Sequence, residues 1–252
     1  MGLLLSRVLK DRVEAIRISS RDERRAIEAA KSLGVDWTPI EEAHMSDVVV
    51  VSVPIDQTVK VCRDVGQRMS PKSLVVDLAS VKSGITSSVA EQTPSPVEYL
   101  SLHPLFGPQV RDLVGKRCVA VQVRGGPLTE EFLSILTGCG VVIRRSTVEE
   151  HDRAMATVQV LHHHALLALS QTLGKITSEM QLSQYLTESL EKTLQNLESM
   201  EQNWGTISAI QRLNPYAQDV REAFAVAARE SRNFDEKSRI KLQRALSLLR
   251  SP

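Results

Sequence analysis

Asp47-Val-Val-Val-Val-Ser-Val53 is a nearly unbroken run of β-branched residues, closed by Pro54. A strand with one wet face alternates apolar and polar residues. A continuous run therefore predicts a strand buried on both faces of a parallel sheet. Working outward, segments of strand character recur at Val13–Ile18, Ser73–Asp77, Val97–Leu102, Cys118–Val123 and Val141–Ile143. Between them lie helical patterns at Leu3–Lys10, Asp22–Leu33 (closed by Gly34), Gln57–Met69, Gly84–Glu91 and Thr129–Gly138. This alternation predicts an α/β fold, a doubly wound parallel, Rossmann-like sheet, occupying residues 1–146 as a dinucleotide-binding domain.

From Thr147 the β-branched runs stop. Thr147-Val-Glu-Glu150 reads as a capping box, in which a hydroxyl and a carboxylate satisfy each other's backbone amides at a helix start. Helical patterns follow through Leu169, across Leu182–Arg212, and, beyond the break at Pro215, over Ala217–Arg232 and Glu236–Leu249. Residues 147–252 are thus expected to form an all-α substrate and dimerisation domain, making the protein a homodimer.

Composition narrows the function. A chain of 252 residues with 42% hydrophobic and 24% charged residues is ordinary for a globular protein with a sizeable core. A net charge of +1, with acids and bases interspersed, gives no footprint for nucleic acid. No apolar run reaches the ~20 residues of a membrane span. The apolar N-terminus lacks a basic leader and a small-residue cleavage site. Cys62, Cys118 and Cys139 are far apart and form no Cys-x-x-Cys pair, which fits a reducing compartment. A cytoplasmic protein with a small-molecule substrate is the expectation.

In doubly wound sheets ligands bind outside the carboxyl ends of the strands. The segments that fall there are Ser19–Asp22, Val53-Pro54-Ile55, Asp77–Lys82 and His103–Gly107. His103 follows an apolar strand, and the turn after it is stiffened by Pro104, Gly107 and Pro108. A histidine so placed is a candidate general base, because its ordinary pKa lies near neutrality. A dinucleotide site normally opens with a strand and a Gly-x-Gly-x-x-Gly turn. Met1-Gly2 stands directly before a helix, so Gly2 takes the place of the third glycine, and the strand and first two glycines are expected to be missing. The next strand ends in Ser19-Ser20-Arg21 where an acid would favour NAD, so these hydroxyls and a guanidinium favour NADP, with NAD possible. In the helical part Gln159 and His163 are spaced to share one helix face. His162 and His164 diverge from His163, and no Glu, Asp or Cys completes a ligand set, so no metal is expected.

Four segments together carry a likeness to a known family: Val51-Ser-Val-Pro54, Asp77-Leu-Ala-Ser-Val-Lys82, His103-Pro-Leu-Phe-Gly-Pro108, and Glu149-Glu-His-Asp-Arg-Ala-Met155 followed by Gln159 and His163. In this order they resemble prephenate dehydrogenase, the enzyme of tyrosine biosynthesis, in its short single-function form. The likeness covers most of residues 2–169. It implies that His103 takes the proton from the ring hydroxyl of prephenate while hydride leaves the same carbon for NAD(P). Loss of the ring carboxylate then gives 4-hydroxyphenylpyruvate. It implies that Ser80 lies beside the hydroxyl and the nicotinamide, and that Gln159 and His163 line the substrate pocket. One departure stands out. The family carries a carboxylate-binding arginine six residues before the proline of an Asn/Asp-Pro pair, and counting back from Asn214-Pro215 gives Ala209. Arg212, or another basic residue such as Arg111, would have to substitute. The other readings are a relative acting on arogenate or another hydroxylated acid, and a weakened homologue that binds ligand or partner without turnover.

Overall fold

A computed structural model describes residues 1–176, 182–231 and 234–250. The chain divides into two compact units, Met1–Ala154 with Ser208–Asn214, and Met155–Ile207 with Pro215–Pro252. The division falls after Ala154 rather than at Thr147, because the capping-box helix is bonded into the first unit through Asp152. Its carboxylate accepts the backbone amides of Lys82 and Ser83.

The first unit begins with α1 (Gly2–Leu9), which buries Leu4, Leu5 and Leu9. Next come β1 (Arg17–Ile18), α2 (Glu23–Leu33) and β2 (Asp36–Trp37). The start of α2 is capped by the Asp22 carboxylate, which accepts the Arg25 amide. At its end Gly34 takes a φ of 67°, a left-handed conformation that glycine adopts without steric cost. A 3₁₀ turn at Ile40–Met45 leads to β3 (Val48–Val51), α3 (Ile55–Gly66), β4 (Leu74–Asp77) and α4 (Ile85–Gln92). After these come β5 (Glu98–Pro104), β6 (Arg117–Arg124), α5 (Pro127–Gly138), β7 (Val142–Arg145) and α6 (Val148–Met155).

The strands form two sheets. β1 and β2 make a parallel pair, and the other five run in the order β3-β4-β5-β6-β7. Within the larger sheet β3, β4 and β5 are parallel, β6 is antiparallel to β5, and β7 is parallel to β6. The sheet is mixed, not wholly parallel, because β5 and β6 are joined by a loop too short for a helical crossover. Val13–Ala15 stay outside the sheet, and only Arg17 and Ile18 of that predicted strand pair.

The valine run that announces the fold is less buried than expected. Of β3 only Val51 is fully buried, whereas all of β4 is. The reason is position: β3 is the edge of its sheet, and β4 lies inside it. The core lies around Leu74, Val76, Leu100 and Leu102 on one side of the sheet, with Leu4, Leu5, Phe132, Leu133 and Leu136 from α1 and α5 packed into it.

The second unit is helical. A π-helical stretch (Ala156–Leu161) is followed by α7 (His162–Ile176), a 3₁₀ turn at Leu182–Tyr185, α8 (Glu188–Gln202), α9 (Trp204–Leu213), α10 (Ala217–Glu230) and α11 (Glu236–Arg250). Ser208–Leu213, the end of α9, group with the first unit. Arg232, the expected end of the third predicted helix, lies outside the described residues. α10 packs on the π-helical stretch and α7 on α8. Among the described residues no helix is long and apolar enough to cross a membrane.

Candidate active site

The parallel strands β3, β4 and β5 deliver their carboxyl ends to one edge, and β5 brings His103 there. His103 is inside the strand, one residue before its end, in register with Val119 of β6. Paired backbone on both sides fixes its Cα, and its side chain is only 3% exposed.

The polar groups around it form a connected set. Nδ1 of His103 is 2.9 Å from Nε2 of His151, and Nδ1 of His151 is 2.7 Å from Oδ1 of Asp152. The Asp152 carboxylate also accepts the Lys82 amide at 2.9 Å and the Ser83 amide at 2.7 Å. The Asp152 carbonyl accepts from Asn214 Nδ2 at 2.8 Å. Lys82 is fully buried. Its ammonium donates to the carbonyls of Ala79 and Leu102 at 2.8 Å each and to Ser101 Oγ at 2.7 Å, with Asp77 Oδ1 at 3.9 Å. Asp77 in turn accepts the Ala79 amide and the Tyr99 hydroxyl.

The electrostatics follow from this packing. Burial pushes the His103 imidazole well below its ordinary pKa, the Lys82 charge and His151 add to the effect, and Asp152 opposes it. Burial also lowers His151, against its bond to Asp152. Desolvation works to raise Asp152, but the bonds from His151, Ser83 and Lys82 outweigh it and hold the carboxyl below its usual range. Lys82 is lowered by burial, with Asp77, Cys118 and Asp152 acting against that. A neutral imidazole that can accept a proton is the state His103 takes near neutral pH.

A second feature lies beside α1. The edge of β1 and the edge of β3 both line one cavity of about 400 Å³, which Gly2, Ser6, Ser19, Ser20 and Arg25 also line. The Gly2 amide donates to Ser52 Oγ at 2.9 Å. Ser19 Oγ is buried there with no hydrogen-bond partner among the described residues. A buried hydroxyl of that kind, two guanidiniums (Arg17 and Arg25) and a helix N-terminus fit the ribose and phosphates of a nicotinamide dinucleotide.

The expected site residues are distributed as follows. Gly2, Ser20 and Val53 line the cavity, whereas Arg21 is exposed and outside its lining. Arg17 and Arg25 take the place expected of Arg21, since they share the lining of the cavity with Ser19 and Ser20. Pro54 caps α3, and Ser80 sits half-buried in the turn after β4. Gln159 lies in the π-helical stretch and His163 in α7. A π-turn bonds i to i+5, so the regular one-turn spacing expected between them does not hold. His163 Nδ1 is buried without a hydrogen-bond partner among the described residues, and burial, with His162 beside it, lowers its pKa. Ala209 is 5% exposed and Arg212 is exposed, so the two face different ways. No metal-binding group of three His, Cys, Asp or Glu side chains occurs among the described residues.

Sequence reasoning left His151, Asp152 and Lys82 without roles. Their signal was present, since both segments that hold them carry the family likeness. Nothing in the spacing says that residues 48 apart meet.

A Rossmann-type nucleotide-binding domain with a helical region after it is the class that this fold and site define. Residues 5–117 match the family described as prephenate dehydrogenase, nucleotide-binding domain. A probable arogenate/prephenate dehydrogenase of Methanocaldococcus jannaschii is 26% identical over 239 residues, covering 91% of this chain and 53% of that protein. The 4-amino-4-deoxyprephenate dehydrogenase of Streptomyces pristinaespiralis is 29% identical over 135 residues, covering 54% of this chain and 45% of the relative. The chain thus spans about half the length of the curated relatives it matches. The fold of a prephenate dehydrogenase from A. aeolicus, solved with hydroxyphenyl propionate and NAD+, superposes with a TM-score of 0.79 at 19% identity, covering 97% of this chain and 94% of that one. These findings support the prephenate dehydrogenase family, and the chain belongs to it through the nucleotide-binding domain at residues 5–117.

Proposed function

We propose that the chain is a cytoplasmic, NADP-preferring dehydrogenase that converts prephenate to 4-hydroxyphenylpyruvate, with His103 as general base. The observation that carries this reading is a buried neutral histidine at the carboxyl edge of a nucleotide-binding sheet. When bound, the nicotinamide supplies the hydride acceptor. His103 takes the hydroxyl proton from the carbon that gives up hydride. The electrons of the bond to the ring carboxylate enter the ring as CO₂ leaves, and the ring becomes aromatic. Ser80 orients the hydroxyl, and Gln159 and His163 contribute substrate contacts. Arg17, Arg25, Ser19 and Ser20 hold the adenosine end, and two guanidiniums among hydroxyls suit a 2′-phosphate. NAD remains the competing cofactor.

Ala209 favours a second reading. A buried alanine where the family likeness implies an arginine leaves one substrate carboxylate to Arg212 or another base, as a relative that takes arogenate or a different hydroxylated acid would allow. The same gap would suit a homologue that binds without turnover. One assay separates the three: reduction of NADP+ and of NAD+ with prephenate, with arogenate and without either acid. Prephenate turnover with NADP+ ahead of NAD+ is expected. Arogenate turnover alone selects the second reading, and no turnover with either acid removes the enzyme assignment.

A further inference from the structure

We infer that His151 and Asp152 are positioning residues that dictate which nitrogen of His103 carries a proton. This rests on the base role proposed for His103.

The deduction starts at Asp152, whose carboxylate already accepts two backbone amides, from Lys82 and Ser83. It is therefore an acceptor toward His151 as well, and His151 Nδ1, 2.7 Å away, must be the N–H donor. A neutral imidazole has one N–H, so His151 Nε2 bears the lone pair. It sits 2.9 Å from His103 Nδ1, which must then donate. The lone pair of His103 is thereby assigned to Nε2. Each ring has one tautomer, set by a carboxylate two residues along the relay. A free neutral imidazole side chain prefers the opposite tautomer, with its proton on Nε2, so the relay holds His103 in the less common form.

The arrangement also serves the step itself. When His103 Nε2 takes a proton from a substrate hydroxyl, the O–H bond breaks, the N–H bond forms and the ring becomes a cation. The O–H electron pair stays on oxygen. The cation's Nδ1–H already points at His151, and His151 already points at an ionised carboxylate. Positive charge therefore develops along a prearranged chain of dipoles ending on an anion, at a site from which water is excluded. Lys82 faces the same space with a positive charge that disfavours the cation, so the relay offsets a penalty built into the site.

The test uses the labelled full chain and needs no turnover for its first part. Long-range ¹H–¹⁵N spectra distinguish protonated from unprotonated ring nitrogens. Wild type is expected to show His103 protonated at Nδ1. His151→Leu is expected to lose that form in favour of Nε2–H, and His151→Gln, whose amide oxygen can still accept from His103, to keep it. In turnover, His151→Leu should lower kcat about tenfold or more while KM for acid and cofactor changes less than about twofold, with most of the loss recovered in His151→Gln. A wild-type His103 protonated at Nε2, or a His151→Leu chain with unchanged tautomer and kcat, overturns the inference. His103→Asn is the control. If it keeps more than about a tenth of kcat the base role fails, yet the tautomer spectra still judge the relay.

Discussion

At the residue scale Lys82 shows how much the site depends on groups that never meet solvent. A buried ammonium is tolerated only when all its protons are placed, and here two carbonyls and a hydroxyl take them. Those acceptors come from the turn after β4 and from β5, so one side chain ties the Ser80 turn to the strand that carries His103. Lys82→Met keeps the length and apolar stem but strands the carbonyls and leaves Asp77 without its nearest cation. It is expected to destabilise the chain by roughly 3–5 kcal/mol, as when one partner of a buried pair is removed. Urea unfolding followed by circular dichroism measures it. A loss under about 1 kcal/mol would show that water reaches these groups.

At the element scale the decisive fact is a gap between sheets. β1 pairs only with β2, and β3 pairs only with β4, among the described residues, while both free edges look into the same cavity. One added parallel strand would supply hydrogen bonds to both and join the two sheets into one, and its carboxyl end would arrive near Gly2. Fusing five β-branched apolar residues and a Gly-x-Gly turn ahead of Met1 is therefore expected to raise Tm by about 4 °C or more, the shift that ~1–2 kcal/mol produces in a chain of this size. It should also tighten NADPH binding, read by cofactor fluorescence. A polar extension of the same length should do neither, and equal effects from the two would sink the strand explanation. The sequence made part of this legible. The valine run predicts β3, and Asp22 with Gly34 bounds α2 to the residue. The capping box is seen as two reciprocal bonds between Thr147 and Glu150. What stayed illegible is what depends on neighbours. Four valines read as doubly buried whether the strand is central or at an edge, and His151 beside Asp152 reads as a helix start until Lys82 and His103 arrive from other strands.

At the scale of the whole molecule the homodimer proposed from the helical region can be argued from α11. None of its described residues is buried, although it holds Ile240, Leu242, Leu246, Leu248 and Leu249. Leu242, Leu246 and Leu249 fall at i, i+4 and i+7, one stripe of a helix. Leu249 is 70% exposed, and Phe234, just before the helix, is fully exposed. Apolar side chains repeated along one face stay wet at a cost of about 1.5–3 kcal/mol each relative to burial, so covering this stripe with a second copy supplies a driving force that the isolated chain lacks. An isologous pairing of two α11 stripes satisfies it with one symmetric contact. Light scattering after size exclusion is expected to give a dimer at micromolar concentration. Replacing Leu242, Leu246 and Leu249 together by Glu should give a monomer whose circular dichroism signal is nearly unchanged, because these side chains support no core within the chain. A wild-type monomer, or a triple variant that stays dimeric, would exclude α11 as the contact.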